Sequence, residues 1–297
     1  MNEANKSDNI VHAPKMVKIT KVIQENPTVS SIEMKAPNIA RIAEPGQFVM
    51  VWCPGVDEAP MGLSIIDKEK GIIAITVEQV GEATRAVCSK KAGDFLGIRG
   101  PYGKGFALKG KKIVAVGGGY GMAPLRALIQ KFLKLNIFDT IDVIIAAKTK
   151  EQLVFLKEME KLAEKNSRIF IQPCTDDGTR GMKGLAHQAL LKIVSEKKVD
   201  EVYAVGPELM LKKVFEITEK HGIELQVSLT RYVKCAIGLC GQCVLDPTGT
   251  ILCTEGPVFN SNKLRVIKKC FGRKYIIVIL FCHLCQRNIV LDIRYRR

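Results

Sequence analysis

The sequence has no apolar run long enough to cross a membrane. Its longest stretch near the C-terminus, Tyr275 to Cys285, carries His283 inside it. That run is about half of the ~20 residues a spanning helix needs. A secretory signal is missing too: Met1 to Pro14 is mostly polar and reads as a disordered extension, so a cytoplasmic protein is expected. No internal repeat is present. The basic residues are not interleaved with aromatics in the manner of a nucleic-acid-binding motif, so no nucleic-acid partner is expected.

What is present describes an ordinary globular chain. Of 297 residues, 47% are apolar and 25% charged, enough for a buried core and for two domains with room for a small third. The net charge of +15 is unevenly spread. From Ser261 to Arg297 there are ten Lys/Arg and one Asp, which leaves only +6 for everything before. Such a tail reads as a solvated segment.

The rhythm of the chain changes once. From Met16 to about Gly100, short β-rich runs (Val17–Ile23, Phe48–Trp52, Ile72–Val77, Phe95–Ile98) alternate with Gly/Pro breaks. Closely spaced strands without long helices predict a small barrel or sandwich. Near Lys111 the pattern becomes strand then helix. Strands are expected at Ile113–Val116, Ile141–Ala147, Arg168–Gln172 and Glu201–Val205, and helices at Pro124–Leu135, Glu151–Lys165, Leu185–Ile193 and Glu208–Lys220. That alternation predicts a parallel α/β sheet. From Gln226 to Pro257 the chain reads as loop-rich and too short for a large core of its own.

Four of the ten cysteines lie in this last stretch, as Cys235-x4-Cys240-x2-Cys243-x9-Cys253. The x4-x2 spacing is that of plant-type [2Fe–2S] loops. Two irons require four thiolates, three of them wrapped closely around one side. Ala236, Gly238 and Gly241 between the ligands let the backbone approach. Structural zinc is the alternative, but zinc sites usually show two separated C-x2-C pairs. Cys53, Cys88 and Cys174 read as core residues. Cys270 and the Cys282/Cys285 pair read as incidental features of the tail.

Gly119-Tyr120-Gly121-Met122-Ala123-Pro124 joins an expected strand to an expected helix. Glycines there permit a tight turn and close approach to a pyrophosphate, and the helix start offers free N–H groups. Ala204-Val205-Gly206-Pro207 occupies an equivalent strand-to-helix junction. In the N-terminal half, Pro60-Met61-Gly62-Leu63-Ser64 reads as a turn entering a strand. Gly81-Glu82-Ala83-Thr84 reads as a helix start, and Arg99-Gly100-Pro101-Tyr102-Gly103 as a linker. Lys148 and Lys150 follow the second strand of the α/β half, where they could meet a 2′-phosphate or remain solvated.

In order and content these pieces resemble the ferredoxin–NADP⁺ reductase superfamily. Within it the chain is similar to the electron-transfer subunits of type B dihydroorotate dehydrogenases. PGQFVMV, PMGLS, VGEAT, GPYGKGF, GGGYGMAPL, TDDGTRGMKG, AVGPELM and CAIGLCGQC carry the likeness, between about Met16 and Lys263. The resemblance implies an α+β multidomain chain with a disordered extension at 1–14 and an FAD-binding β-barrel at 15–108. A Rossmann-like NAD-binding domain at 109–224, a [2Fe–2S] segment at 225–262 and an atypical basic tail at 263–297 would follow. It also implies that Met61, Gly62, Leu63 and Ser64 line the isoalloxazine, with Ser64 near its reactive nitrogen. Ala83 and Thr84 would hold the FAD diphosphate, Gly119 and Gly121 would face the nucleotide pyrophosphate, and Gly206 and Pro207 would border the nicotinamide. Cys235, Cys240, Cys243 and Cys253 would ligate the cluster.

No acid–base catalytic residue is required by such a relay. The implied partner is a dihydroorotate-oxidising FMN subunit, two copies of each forming a heterotetramer. Ferredoxin- or sulfide-linked NAD(P)H oxidoreductases and hydrogenase diaphorase subunits share the same motifs. A zinc-ribbon nucleic-acid-binding protein is the remote alternative. The chain departs from the family at the flavin turn, where Glu58-Ala59-Pro60 stands in place of an arginine, and in the tail.

Overall fold

The computed structural model describes residues 11–267. Residues 1–10 of the expected extension lie outside that range, as do Cys270, Tyr275–Phe281, Cys282 and Cys285 of the tail.

The N-terminal half contains β1 (Val11–Asn26), β2 (Val29–Lys35), α1 (Pro37–Ile42), β3 (Phe48–Trp52), β4 (Glu58–Asp67), β5 (Ile72–Glu78), α2 (Glu82–Cys88) and β6 (Phe95–Tyr102). Its six strands close into an antiparallel barrel in the order β1-β2-β5-β4-β3-β6. The strands form because their apolar residues alternate. Ile32 and Met34, Val49 and Val51, Ile73 and Ile75, and Leu96 and Ile98 all point inward and are fully buried. Closure removes the exposed edges that an open sheet of these strands would carry.

Several expectations are corrected here. PMGLS is not a turn: it lies inside β4, whose bulge falls between Leu63 and Ile65. The Arg99–Gly103 linker is mostly strand, since β6 runs through Tyr102 and pairs with both β1 and β3. Residues 11–14, expected to be disordered, begin β1, and Val11 pairs with Gly100. Backbone ladder bonds, which polar sequence does not forbid, order this stretch.

The second half contains β7 (Lys112–Gly118), α3 (Met122–Leu135), β8 (Thr140–Ala147), α4 (Leu156–Lys165), β9 (Ile169–Thr175), β10 (Met182–Lys183), α5 (Ala186–Glu196), β11 (Glu201–Val205), α6 (Glu208–His221) and β12 (Glu224–Ser228). After it come β13 (Val244–Leu245), β14 (Thr250–Ile251), α7 (Leu252–Glu255), β15 (Val258–Asn260) and α8 (Ser261–Ile267). The main sheet has the order β10-β9-β8-β7-β11-β12-β15, parallel except for β15. The chain winds outward from β7 to β10 and returns to β11 on the other side of β7. The carboxyl ends of β7 and β11 therefore form the topological switch point, where open α/β sheets bind ligands.

Each face of the sheet has its own core. Ile113, Ala115, Val143 and Ile145 pack with α3 residues Leu125, Leu128 and Phe132. Val114, Val116, Val202 and Ala204 pack with Leu190, Ile193, Leu211 and Val214 of α5 and α6. That second core continues without a break into Cys243, Leu245, Leu252, Cys253 and Phe259. The cysteine segment thus shares a core with the nucleotide sheet, and its expected loop start at Gln226 is in fact β12, buried at Leu225 and Val227.

The helix expected from Glu151 starts only at Leu156. Leu153, Val154 and Phe155 are all buried, and Phe155 has φ 62°. Three consecutive apolar side chains cannot share one face of a helix, so the chain first turns them inward.

Helix α3 joins the two halves. Ala123 and Pro124 lie over β4, and a Cβ at Gly62 would come within 3.3 Å of Pro124. Lys131 pairs with Glu44 and Lys134 with Glu69 across the same boundary.

Candidate functional site

Between the barrel and the nucleotide sheet lies a cleft enclosing about 1060 Å³ of free space, partly open to solvent. The barrel contributes Phe48, Pro60, Met61, Gly62, Thr76, Val77, Glu78, Val80 and Thr84. The nucleotide half contributes Tyr120, Gly121, Ala123, Pro124 and Val205 at the switch point, and Ser228 to Arg231 at the end of β12 and just beyond it. The walls are largely apolar, with a few polar groups, as a ring system requires. Where β4 faces α3, Gly62 has no side chain to fill the slot.

Of the flavin residues singled out by sequence, Met61, Gly62 and Thr84 line this cleft. Leu63 and Ser64 do not. Leu63 points into the barrel core. The Ser64 hydroxyl is fully buried and has no hydrogen-bond partner among the described residues, while its carbonyl accepts from Arg126 at 3.4 Å. Thr84 is already engaged in closing α2: its Oγ1 accepts from the Gly81 N–H at 2.9 Å and the Val80 N–H at 3.0 Å. Ala83 is one residue off the wall.

At the switch point, Gly121 lies so close to β11 that a Cβ would sit 2.4 Å from the Val205 carbonyl oxygen. Only glycine permits this approach. Gly119 has φ 56° with open space around it. Gly206 and Pro207 pack behind the turn, against Met210 and Gly118. The structure therefore brings the two strand-end turns together, with Tyr120 and Gly121 on the cleft wall and Gly119, Gly206 and Pro207 outside it.

Sequence reasoning missed Tyr120, Thr76, Glu78 and the Ser228–Arg231 run. The last had a signal: it directly follows the buried strand β12 and precedes the cysteine loop. Arg231 brings a cation to the wall, pairs with Glu208 and donates to the Thr230 carbonyl at 2.8 Å.

The cysteine loop sits beside the barrel. Cys243 and Cys253 are buried, Cys235 is half-buried and Cys240 is exposed. Ala236, Gly238 and Gly241 adopt φ of 63°, 79° and 69°, the left-handed region that lets a short loop curl around a centre. The curl turns backbone donors onto sulfur. Leu239 and Cys240 N–H point at Cys235 Sγ (3.3 and 3.4 Å), Gly238 N–H at Cys253 Sγ (3.3 Å) and Cys253 N–H at Cys243 Sγ (3.4 Å).

Burial raises the pKa of the Cys235 thiol. The N–H groups of Cys240, Ile237 and Leu239, with the Cys240 thiol, outweigh it and bring the value down to about 6. Burial and the adjacent Cys243 thiol push Cys253 up to about 12. Cys235 thus interacts with Cys240, and Cys253 with both Cys243 and Cys235. Among the described residues, no three His, Cys, Asp or Glu form a group suited to a single ion. Four thiols in one segment, with N–H donors aimed at sulfur, are a donor set that fits a [2Fe–2S] centre.

Barrel, switch-point cleft and thiol loop together define a flavin- and nicotinamide-dependent reductase with an iron–sulfur centre. Residues 115–216 match the oxidoreductase NAD-binding domain, and residues 230–265 match the iron–sulfur cluster binding domain of dihydroorotate dehydrogenase B. The chain is 42% identical over 260 residues to a protein of Methanocaldococcus jannaschii, covering 88% of this chain and 94% of that one. It is also 42% identical over 263 residues to one of Methanothermobacter thermautotrophicus, covering 89% and 94%. Both relatives bear the name "Probable dihydroorotate dehydrogenase B (NAD(+)), electron transfer subunit".

Among solved structures, a chain of the NADH-dependent reduced ferredoxin–NADP oxidoreductase superposes with TM-score 0.75 at 27% identity, covering 87% of this chain and 93% of that one. The Neisseria gonorrhoeae ferredoxin NADP⁺ reductase with bound FAD and NADP shares the fold, with TM-score 0.61 at 19% identity, covering 70% and 92%.

This chain belongs to the family of dihydroorotate dehydrogenase B electron-transfer subunits.

Proposed function

We propose that the chain carries electrons from a dihydroorotate-oxidising partner subunit to NAD⁺, through its own [2Fe–2S] centre and FAD. The single observation that supports this most is that the thiol loop is fastened to the barrel whose other strands wall the flavin cleft. Oxidation of dihydroorotate on the partner releases two electrons and two protons. NAD⁺ takes both electrons with one proton, as hydride, and the other proton goes to solvent. The bound groups supply one-electron and hydride chemistry. The chain's own residues bind, space and shield them.

Met61 and Gly62 are assigned to the isoalloxazine, with Phe48, Val77 and Tyr120 closing the ring away from water. Ala83 and Thr84, at the start of α2, are assigned to the FAD diphosphate. Gly119 and Gly121, at the turn after β7, are assigned to the nucleotide pyrophosphate, and Gly206 and Pro207, after β11, to the border of the nicotinamide. Cys235, Cys240, Cys243 and Cys253 hold the cluster, and metal binding displaces their thiol protons.

Lys148 and Lys150 are exposed at the end of β8, but Asp176 and Asp177 adjoin them, with the Asp177 N–H bonded to the Lys148 carbonyl at 3.2 Å. Carboxylates there disfavour a 2′-phosphate, which supports NAD over NADP. The assignment includes a heterotetramer with two copies of each subunit and a cytoplasmic location, with the barrel domain beginning at Val11 and the nucleotide domain running through Ser228. Among the described residues no helix is long and apolar enough to span a membrane.

The test is co-expression with the catalytic dihydroorotate dehydrogenase subunit under anaerobic conditions. The expected result is a co-purifying yellow-brown complex that forms NADH from dihydroorotate and NAD⁺. Reduction of ferredoxin by NADPH without that subunit, and no complex with it, would overturn the reading.

A further inference from the structure

One charged pair lies outside both the cleft and the thiol set yet touches the surroundings of each. Arg99 in β6 is buried and forms a two-pronged ion pair with Glu58 of β4, Nε to Oε1 and Nη2 to Oε2, both 2.6 Å. Strand β3 lies between them, pairing with both β4 and β6. The same guanidinium donates across to the cysteine loop: Nη1 to the Cys235 carbonyl at 2.8 Å and Nη2 to the Lys234 carbonyl at 2.9 Å. Its remaining contact is Nη1 to the Tyr102 hydroxyl at 3.2 Å, with the guanidinium 5.4 Å from that ring's centre. Tyr102 packs against Phe48 with centroids 5.9 Å apart, and Phe48 is on the cleft wall. An unbroken series of contacts therefore runs from the cleft through Phe48, Tyr102 and Arg99 to the first cysteine of the loop.

We propose that Arg99, held by Glu58, is a positioning residue for electron transfer. It fixes the Cys235 end of the cluster loop against the flavin barrel, and the pair's balanced charge sets the cluster's reduction potential. The proposal rests on the relay reading above. A planar fork with five donors can satisfy a carboxylate and two carbonyls at once, whereas the compact ammonium of lysine has no such fork. The pair is also shielded from water, so removing its anion leaves a cation beside the cluster that solvent screens only weakly. A nearby uncompensated cation favours the form carrying the extra electron.

The experiment uses the full chain with FAD and cluster loaded, as wild type, Glu58→Gln and Arg99→Lys. Cluster potential is measured by redox titration followed by electron paramagnetic resonance, iron-to-flavin ratio by chemical analysis, and flavin-to-cluster transfer by stopped flow after NADH addition. Glu58→Gln keeps the shape and is expected to raise the potential by about 59 mV, a tenfold shift for a one-electron couple, with iron content unchanged. Arg99→Lys is expected to slow flavin-to-cluster transfer tenfold or more, or to lower the iron-to-flavin ratio while flavin is retained.

A purely structural pair would lower thermal stability in both variants and leave potential, transfer rate and iron content at wild-type values; that outcome overturns the proposal. Failure of the relay reading is distinguishable, because wild type itself would then lack iron or flavin.

Discussion

The nucleotide sheet and the cysteine segment share one core but are held together in different ways. The sheet is self-supporting. Its central strands are paired on both sides, apolar on both faces and covered by α3, α5 and α6. The cysteine segment has only two two-residue strands between Arg231 and Val258. It relies on borrowed supports: a few apolar side chains in the sheet's core, the Arg99 fork from the barrel, and N–H groups turned onto sulfur. Four thiols gathered by such a scaffold gain their order when metal replaces their protons. Removing a ligand should therefore damage one region and spare the other.

The sharpest break is Cys243→Ala. Cys243 is buried, interacts with Cys253, and its sulfur receives the Cys253 N–H. Iron in the purified protein is expected to fall to background while FAD and NADH-dependent flavin reduction persist. Iron analysis beside the flavin spectrum checks this, and loss of both together would mean that the two regions fold as one unit. The reverse break is Gly121→Ala. The new methyl would meet the Val205 carbonyl oxygen, forcing the turn away from β11. The expected outcome is a rise of tenfold or more in the KM for NADH with iron content unchanged, read by steady-state diaphorase assay and iron analysis.

A third variant measures the cohesion of the sheet with the segment that leads into β7. Tyr203 is fully buried. Its hydroxyl accepts from the Lys109 N–H at 2.8 Å and lies 2.9 and 2.8 Å from the carbonyls of Ala107 and Lys109. Tyr203→Phe leaves that N–H without its acceptor and should cost about 2 kcal/mol of stability, measured by chemical denaturation. Potential and iron content should stay at wild-type values.

The same contrast explains what the sequence made legible. The barrel and the alternating sheet were readable because each strand or helix announces itself by period, as in Phe48–Trp52, whose limits match β3. The cysteine spacing was readable because ligand geometry imposes it locally. Leu153–Phe155 misled because burial overrode helical continuation. The cleft wall from Ser228 to Arg231 and the Arg99 fork were not legible. Their meaning depends on which loops the fold brings together, and Arg99 and Cys235 lie 136 positions apart. No local pattern encodes a contact of that span.

Ser64 shows the same limit within a single strand, and its variant carries the smallest expected effect. PMGLS suggested a hydroxyl facing the flavin; Gly62 is at the cleft, whereas the Ser64 hydroxyl is buried with no hydrogen-bond partner among the described residues. In the FAD-free protein a buried hydroxyl without a hydrogen bond opposes folding, so Ser64→Ala is expected there to leave stability unchanged or raise it by up to about 1 kcal/mol. The flavin absorption bands and the rate of flavin reduction by NADH should match wild type. A shifted flavin band or a slowed reduction would put the hydroxyl back against the isoalloxazine, and would mean that β4 presents a different stretch to the cofactor than Pro60 to Gly62. Gly62→Ala offers the complementary measurement. Its methyl would enter the 3.3 Å approach to Pro124, so the flavin band should respond at position 62 and stay silent at position 64.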